Sequence, residues 1–194
     1  MCVSKPLSLF VALVALVALL GSCVERKPER LARRESPVST KLKEMVAAQD
    51  KMLLDPNLDQ QSKLDSMLSF RRQTMELIAQ ALVREPEDQY QAALILQAPN
   101  VPTGAESCLM AYYLAVQAAE KGYEKSRFLA AAAYDRFLVH SGKLQKYGTQ
   151  YVTDSSGVMG LYPVDSTISD SERVAWDVLP LDQLYKQVDL RKGQ

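Results

Sequence analysis

The run "AYYLAVQAAEKGYEKSRFLAAAAYDRF", residues 111–137, constrains this chain more than any other stretch. Two alanine-rich segments flank Lys121-Gly122. Alanine is the best helix former because it loses no side-chain freedom on ordering. Glycine just past a helix end supplies the left-handed residue that closes the last turn. The pattern predicts helices over 105–121 and 124–140, stopped by Gly122 and Gly142, and folded back on one another. Small side chains on both let the two backbones approach closely.

The remaining chain extends this theme. Ser39 or Thr40 can cap a helix whose apolar residues Leu42, Met45, Val46 and Leu53 recur at helical spacing, until Asp55-Pro56-Asn57 breaks it. A longer helix is expected over 59–84, with Leu64, Met67, Leu68, Met75, Ile78 and Leu82 as its apolar stripe and Pro86 at its end. Another follows over 87–97, ended by Pro99-Asn100. The alanine-rich pair resembles the helix pairs of Sel1-like and tetratricopeptide repeats. A solenoid needs about three such units to bury a continuous core, so a compact helical domain is expected instead. After Gly142 the texture changes. "TQYVT", "DSSG" and "VMGLYP" predict a two-stranded hairpin over 150–163, and Ser169-x-x-Glu172 has capping-box spacing for a short helix. Leu181, Leu184, Tyr185 and Val188 make a last amphipathic turn or two. A lone hairpin is unstable in water, so it must lie on the helices. The expected fold is mainly α, a compact helical domain over 41–142, with residues 143–194 adding a small β-hairpin and short helices on the same core.

Residues 1–22 stand apart from that fold. A basic start at Lys5 precedes a run, 7–20, that is apolar except for Ser8, roughly 14 residues long and short of the ~20 that span a bilayer. It ends in Leu20-Gly21-Ser22-Cys23, which resembles the lipobox of bacterial lipoproteins. That resemblance implies cleavage before Cys23, with a thioether-linked diacylglycerol and an acylated amine on the new terminus. Several acyl chains at about 0.8 kcal/mol per buried CH₂ hold a protein on a membrane without a transmembrane helix. Val24 is not the aspartate that favours inner-membrane retention, so the resemblance implies the outer membrane, facing the periplasm. Residues 23–40, charged and with two prolines, read as a flexible tether.

Lys+Arg and Asp+Glu balance at 23 each, which argues against a nucleic-acid binder. Cys2 leaves with the leader and Cys23 carries lipid, so Cys108 can form neither an intrachain disulfide nor a cysteine metal cluster. No cofactor or metal motif is present. His140, the only histidine, falls at a helix C-terminus, where a cation suits the dipole.

The polar residues that stand out are Asp135 and Arg136, on a helix otherwise apolar on all sides, followed by Gln145, Tyr147, Gly148, Thr149 and Gln150. Neighbouring helical residues point ~100° apart, so the two charges must find partners elsewhere. One reading is a clasp in which the Asp135 carboxylate accepts N–H groups from the glycine-containing turn. The other is a polar pocket for a small ligand, or a hydrolase site, lined by the same residues.

This stretch, with "LYPVD", "SERVAW" and "PLDQL", resembles a family of bacterial proteins carrying a C-terminal domain of unknown function. Asp135, Arg136, Gly142, Lys143, Gln145, Tyr147, Gly148, Thr149 and Gln150 match its signature, with Pro163, Asp165 and Arg173 beyond. Family members often carry Gln-His where this chain has Gln97-Ala98, so a reaction needing that histidine is absent. The expectation is a lipid-anchored envelope protein attached to the membrane through Cys23. It binds or scaffolds another envelope protein, with a small-ligand binder or hydrolase as the alternative.

Overall fold

The computed structural model describes residues 35–98, 104–155 and 157–192. The leader, Cys23, the tether as far as residue 34 and the Pro99-Asn100 break lie outside them. The described chain is mainly helical with a small antiparallel sheet near its C-terminal end.

Helix α1, Pro37–Leu54, starts inside the stretch read as tether. Its N-cap is Ser36, whose hydroxyl accepts the Ser39 N–H at 3.0 Å, so Ser39 lies inside the first turn rather than capping it. Proline fits the first turn because its missing N–H has no helical partner there. Helix α2, Gln60–Ala79, is capped by Asp59. It stops five residues before the expected end at 84. Ala81 adopts φ +53°, and Leu82 N–H returns to the Leu77 carbonyl, closing the helix as a glycine would. Pro86, expected to mark that end, instead opens α3, Pro86–Leu96.

Helices α4, Ala105–Glu120, and α5, Ser126–His140, form the alanine-rich pair. Gly122 (φ +88°) closes α4: its own N–H bonds Ala119 O, and Tyr123 N–H bonds Ala118 O. Ala111 and Ala115 on one helix, and Ala130 and Ala133 on the other, are wholly buried with Leu42, Ala92 and Leu96 in the principal core. Helix α5 is not apolar and buried on every side. Leu129 to Ala133 are buried, whereas Phe128 is half exposed.

The apolar stripe of α2 is also divided. Met67 and Thr74 are buried, Leu64 packs beside Met67, and Phe70, Leu77 and Ile78 pack on the principal core, while Leu68, Met75 and Leu82 are exposed. The helix has apolar residues on two faces, and the domain covers only one.

Strands β1, Tyr151–Thr153, and β2, Met159–Leu161, pair antiparallel, Val152 opposite Gly160. Gly157 (φ +84°) and Asp154, whose carboxylate accepts the Val158 N–H, make their turn. Helix α6, Asp170–Ala175, is capped by the Ser169 hydroxyl on Glu172 N–H. The closing helix α7, Leu181–Lys192, is longer than the expected turn or two. Tyr147, Val178 and Leu184 bury against Ala131 of α5, and Trp176 packs on both this cluster and the principal core.

Candidate functional site

Asp135 projects from α5 into the turn that follows the helix, and it is wholly buried. Four consecutive backbone N–H groups converge on it. Oδ1 accepts from Lys146 at 2.7 Å and Tyr147 at 2.9 Å. Oδ2 accepts from Gly148 and Thr149, both at 2.9 Å, and from the Thr149 hydroxyl at 2.8 Å. Consecutive N–H groups can point at one anion only if the backbone curls, and Gly148 provides the curl at φ +98°. A Cβ at that position would come 2.7 Å from Leu184 Cδ1. Glycine is therefore required twice, by conformation and by space.

Gln145 closes the same turn from within. Its amide donates to the carbonyls of Gln150 at 3.0 Å and Tyr162 at 2.8 Å, and its Oε1 accepts the Gln150 N–H at 2.8 Å. Its backbone bonds Pro163 O and Asp165 N, so it also ties the turn to the end of the hairpin. Gln150 reaches back to α5, donating to Ala132 O at 3.1 Å and to the Thr149 hydroxyl at 3.0 Å.

Arg136 points away from Asp135. Its Nε donates to Gln150 Oε1 at 3.1 Å, and its Nη1 donates to both the carbonyl and the side-chain oxygen of Gln97. Gln97 is the C-cap of α3, where the helix dipole favours a cation. Burial pushes the Arg136 pKa down. Its described hydrogen-bond acceptors are all uncharged.

Arg173 completes the arrangement, and sequence reasoning gave it no role beyond matching a pattern. It is 1 % exposed. Nε donates to Tyr147 O at 3.2 Å, Nη2 to Asp165 O at 3.0 Å, and Nη1 to Ile168 O and the Asp170 carboxylate. The peptide groups around Tyr147 thus run between a buried anion on their N–H side and a buried cation on their carbonyl side. The available signal was its place inside a short helix, four residues after the cap Ser169 and beside Trp176. Lys146 pairs with Glu172 and lies 5.1 Å from the Tyr147 ring, fastening the outside of the turn.

The structure brings Asp135, Gln145, Tyr147, Gly148, Thr149 and Gln150 into one junction, and Arg136 joins it through Gln150 while its other end reaches Gln97. Chemically, the junction offers little to a substrate. With five donors on its oxygens and no solvent contact, Asp135 has no face from which to take a proton. Gln145 has its amide and its oxygen committed. His140 is exposed at the end of α5. Among the described residues no group of three or more His, Cys, Asp or Glu is placed to hold a metal ion. Nor is any described helix long and apolar enough to cross a membrane.

No family model, no curated protein and no solved structure matches the chain.

Proposed function

We propose that this protein is a lipid-anchored bacterial envelope protein whose helical domain binds or scaffolds another protein. The observation that carries the reading is the state of Asp135. The polar residues that resemble a reaction site are spent on one another, around a carboxylate that is wholly buried. With that cluster occupied, the helix surfaces are what remains to recognise a partner. The anchor rests on the apolar run before Cys23 and the Leu-Gly-Ser-Cys sequence.

Two measurements test the proposal. Asp135→Asn and Gln150→Ala should lower stability in a denaturant titration. If both variants keep wild-type stability and instead lose a small ligand, the polar cluster is a pocket and the binding-module reading fails. Cys23→Ala should abolish lipid labelling and release the protein from membranes; unchanged attachment overturns the anchor.

A further inference from the structure

The first turns of α1 and α3 lie against each other, and a carboxylate is buried between them. Asp88, in the first turn of α3, is 2 % exposed. The Ser39 hydroxyl of α1 lies beside it, and that hydroxyl also meets the Ser36 hydroxyl at 2.9 Å. Among the described residues no other hydrogen-bond donor is placed on the Asp88 carboxylate. Asp135, just as deeply buried, has five. A buried carboxylate with so few donors resists ionisation.

The charges around Asp88 divide by element. Glu85 and Glu87 stand on its own side, at the start of α3. On α1, Lys43 pairs with Glu35 and, at 3.0 Å, with Glu87, so its ammonium is committed to two other carboxylates. After α4, Lys121 reaches Gln89 and the Arg84 carbonyl, and Tyr123 lies near Glu87 and Lys43. Helices α2 and α5 meet α3 through apolar residues of the principal core, with Arg136 on Gln97 at the opposite end. The positive end of α3 favours an ionised Asp88. Burial, with Glu85 and Glu87 beside it, outweighs that and pushes the pKa up. The unfolded chain therefore gives up this proton at lower pH than the native one. Stability from the neutral carboxyl is full below the ordinary carboxylate range and is lost as pH rises through the native pKa.

We propose that Asp88 is an acid-responsive latch on α1: protonated, it holds the first two turns of α1 on α3, and ionised, it lets them loosen. Helix α1 begins inside the stretch read as tether, so freeing its first turns lengthens the link to the domain. Residues 37–44 span about 12 Å as helix and up to roughly 26 Å when extended. The latch goes beyond the protein-binding reading and stands without it.

The test uses the full-length chain in detergent micelles and hydrogen exchange followed by mass spectrometry. Protection of the 37–44 amides is referred to that of α5 in the same sample, with intrinsic exchange rates divided out at each pH. Between about pH 7.5 and about pH 5 the wild-type ratio should rise roughly threefold or more. Asp88→Asn should hold the ratio at the acidic wild-type level throughout and remove the response. Ser39→Ala withdraws the hydroxyl that favours the ionised form. It should loosen 37–44 further at the higher pH and leave the lower unchanged, which decides the matter should Asp88→Asn fail to fold. A wild-type ratio that does not rise on acidification overturns the latch. So does an equal rise in Asp88→Asn, since another group would then carry the response. A Ser39→Ala effect of the same size at both pH values also overturns it, because that is the signature of a helix-end role alone.

Discussion

Asp135 and Arg71 are both charged residues on helices of this domain, and they have opposite fates. Asp135 is wholly buried and takes four backbone N–H groups and a hydroxyl from the turn that follows its own helix. Arg71 sits half-buried among apolar residues and makes no hydrogen bond to any described residue, with Glu106 its acidic counterpart at longer range. A charge that the fold satisfies within itself is committed to architecture. One that no hydrogen bond holds is not. By this criterion the conspicuous cluster is the inert region, and the plain helix face is free of that commitment.

The comparison breaks if Asp135 turns out to be dispensable. Asp135→Asn keeps the shape but puts an amide NH₂ among donors and removes the charge from a buried site. The expected loss is about 4 kcal/mol, a large part of the ~5–15 kcal/mol that holds a domain folded. A denaturant titration reads it directly, and a loss below about 1 kcal/mol would remove the case for a committed carboxylate. Arg173→Met comes next. It strands the carbonyls of Tyr147, Asp165 and Ile168 and is expected to cost about 3 kcal/mol. Asp135 and Arg173 grip the two ends of the Tyr147 peptide groups, so their effects should not add. A double-mutant cycle should show coupling of about 1 kcal/mol or more.

Gly148→Ala sharpens the picture on a smaller scale. The substitution meets a left-handed backbone and the Leu184 methyl together, for an expected loss of about 2 kcal/mol. Trimming the obstacle with Leu184→Ala relieves the collision but not the backbone. The double variant should therefore be about 1 kcal/mol less destabilised than the sum of the single ones, as measured by thermal melts.

Much of this organisation was legible in the sequence because it is local. The alanine-rich pair, its glycine stops, the hairpin turn and the Ser169 cap each depend on a few adjacent residues. Asp135 stood out for the same reason, a carboxylate on a helix with no polar face. What could not be read depends on distant packing. Arg173 owes its role to carbonyls contributed by Tyr147, Asp165 and Ile168, which no spacing rule brings together. The apolar stripe expected on α2 divides between covered and exposed positions because periodicity reports that residues are apolar, not whether the domain has a neighbour to cover them. Thr74, a polar residue buried at the centre of the inner face, satisfies its hydroxyl on Phe70 O of its own helix. It could sit inside, therefore, while Met75, one position along, turned out.

The smallest expected effect bears most directly on the comparison. Arg71→Gln removes a charge that makes no hydrogen bond in the described fold and feels Glu106 only at a distance. Unfolding free energy should change by no more than about 0.5 kcal/mol, as for other surface positions without a structural partner. Glutamine preserves the length of contact along α2, so the helix content by circular dichroism should also hold. A loss above about 1 kcal/mol would mean that Arg71 has an internal partner. The contrast with Asp135 would then collapse into two versions of the same architectural role. If stability is untouched, the fold depends on the buried carboxylate and not on the guanidinium of α2, and the contrast holds.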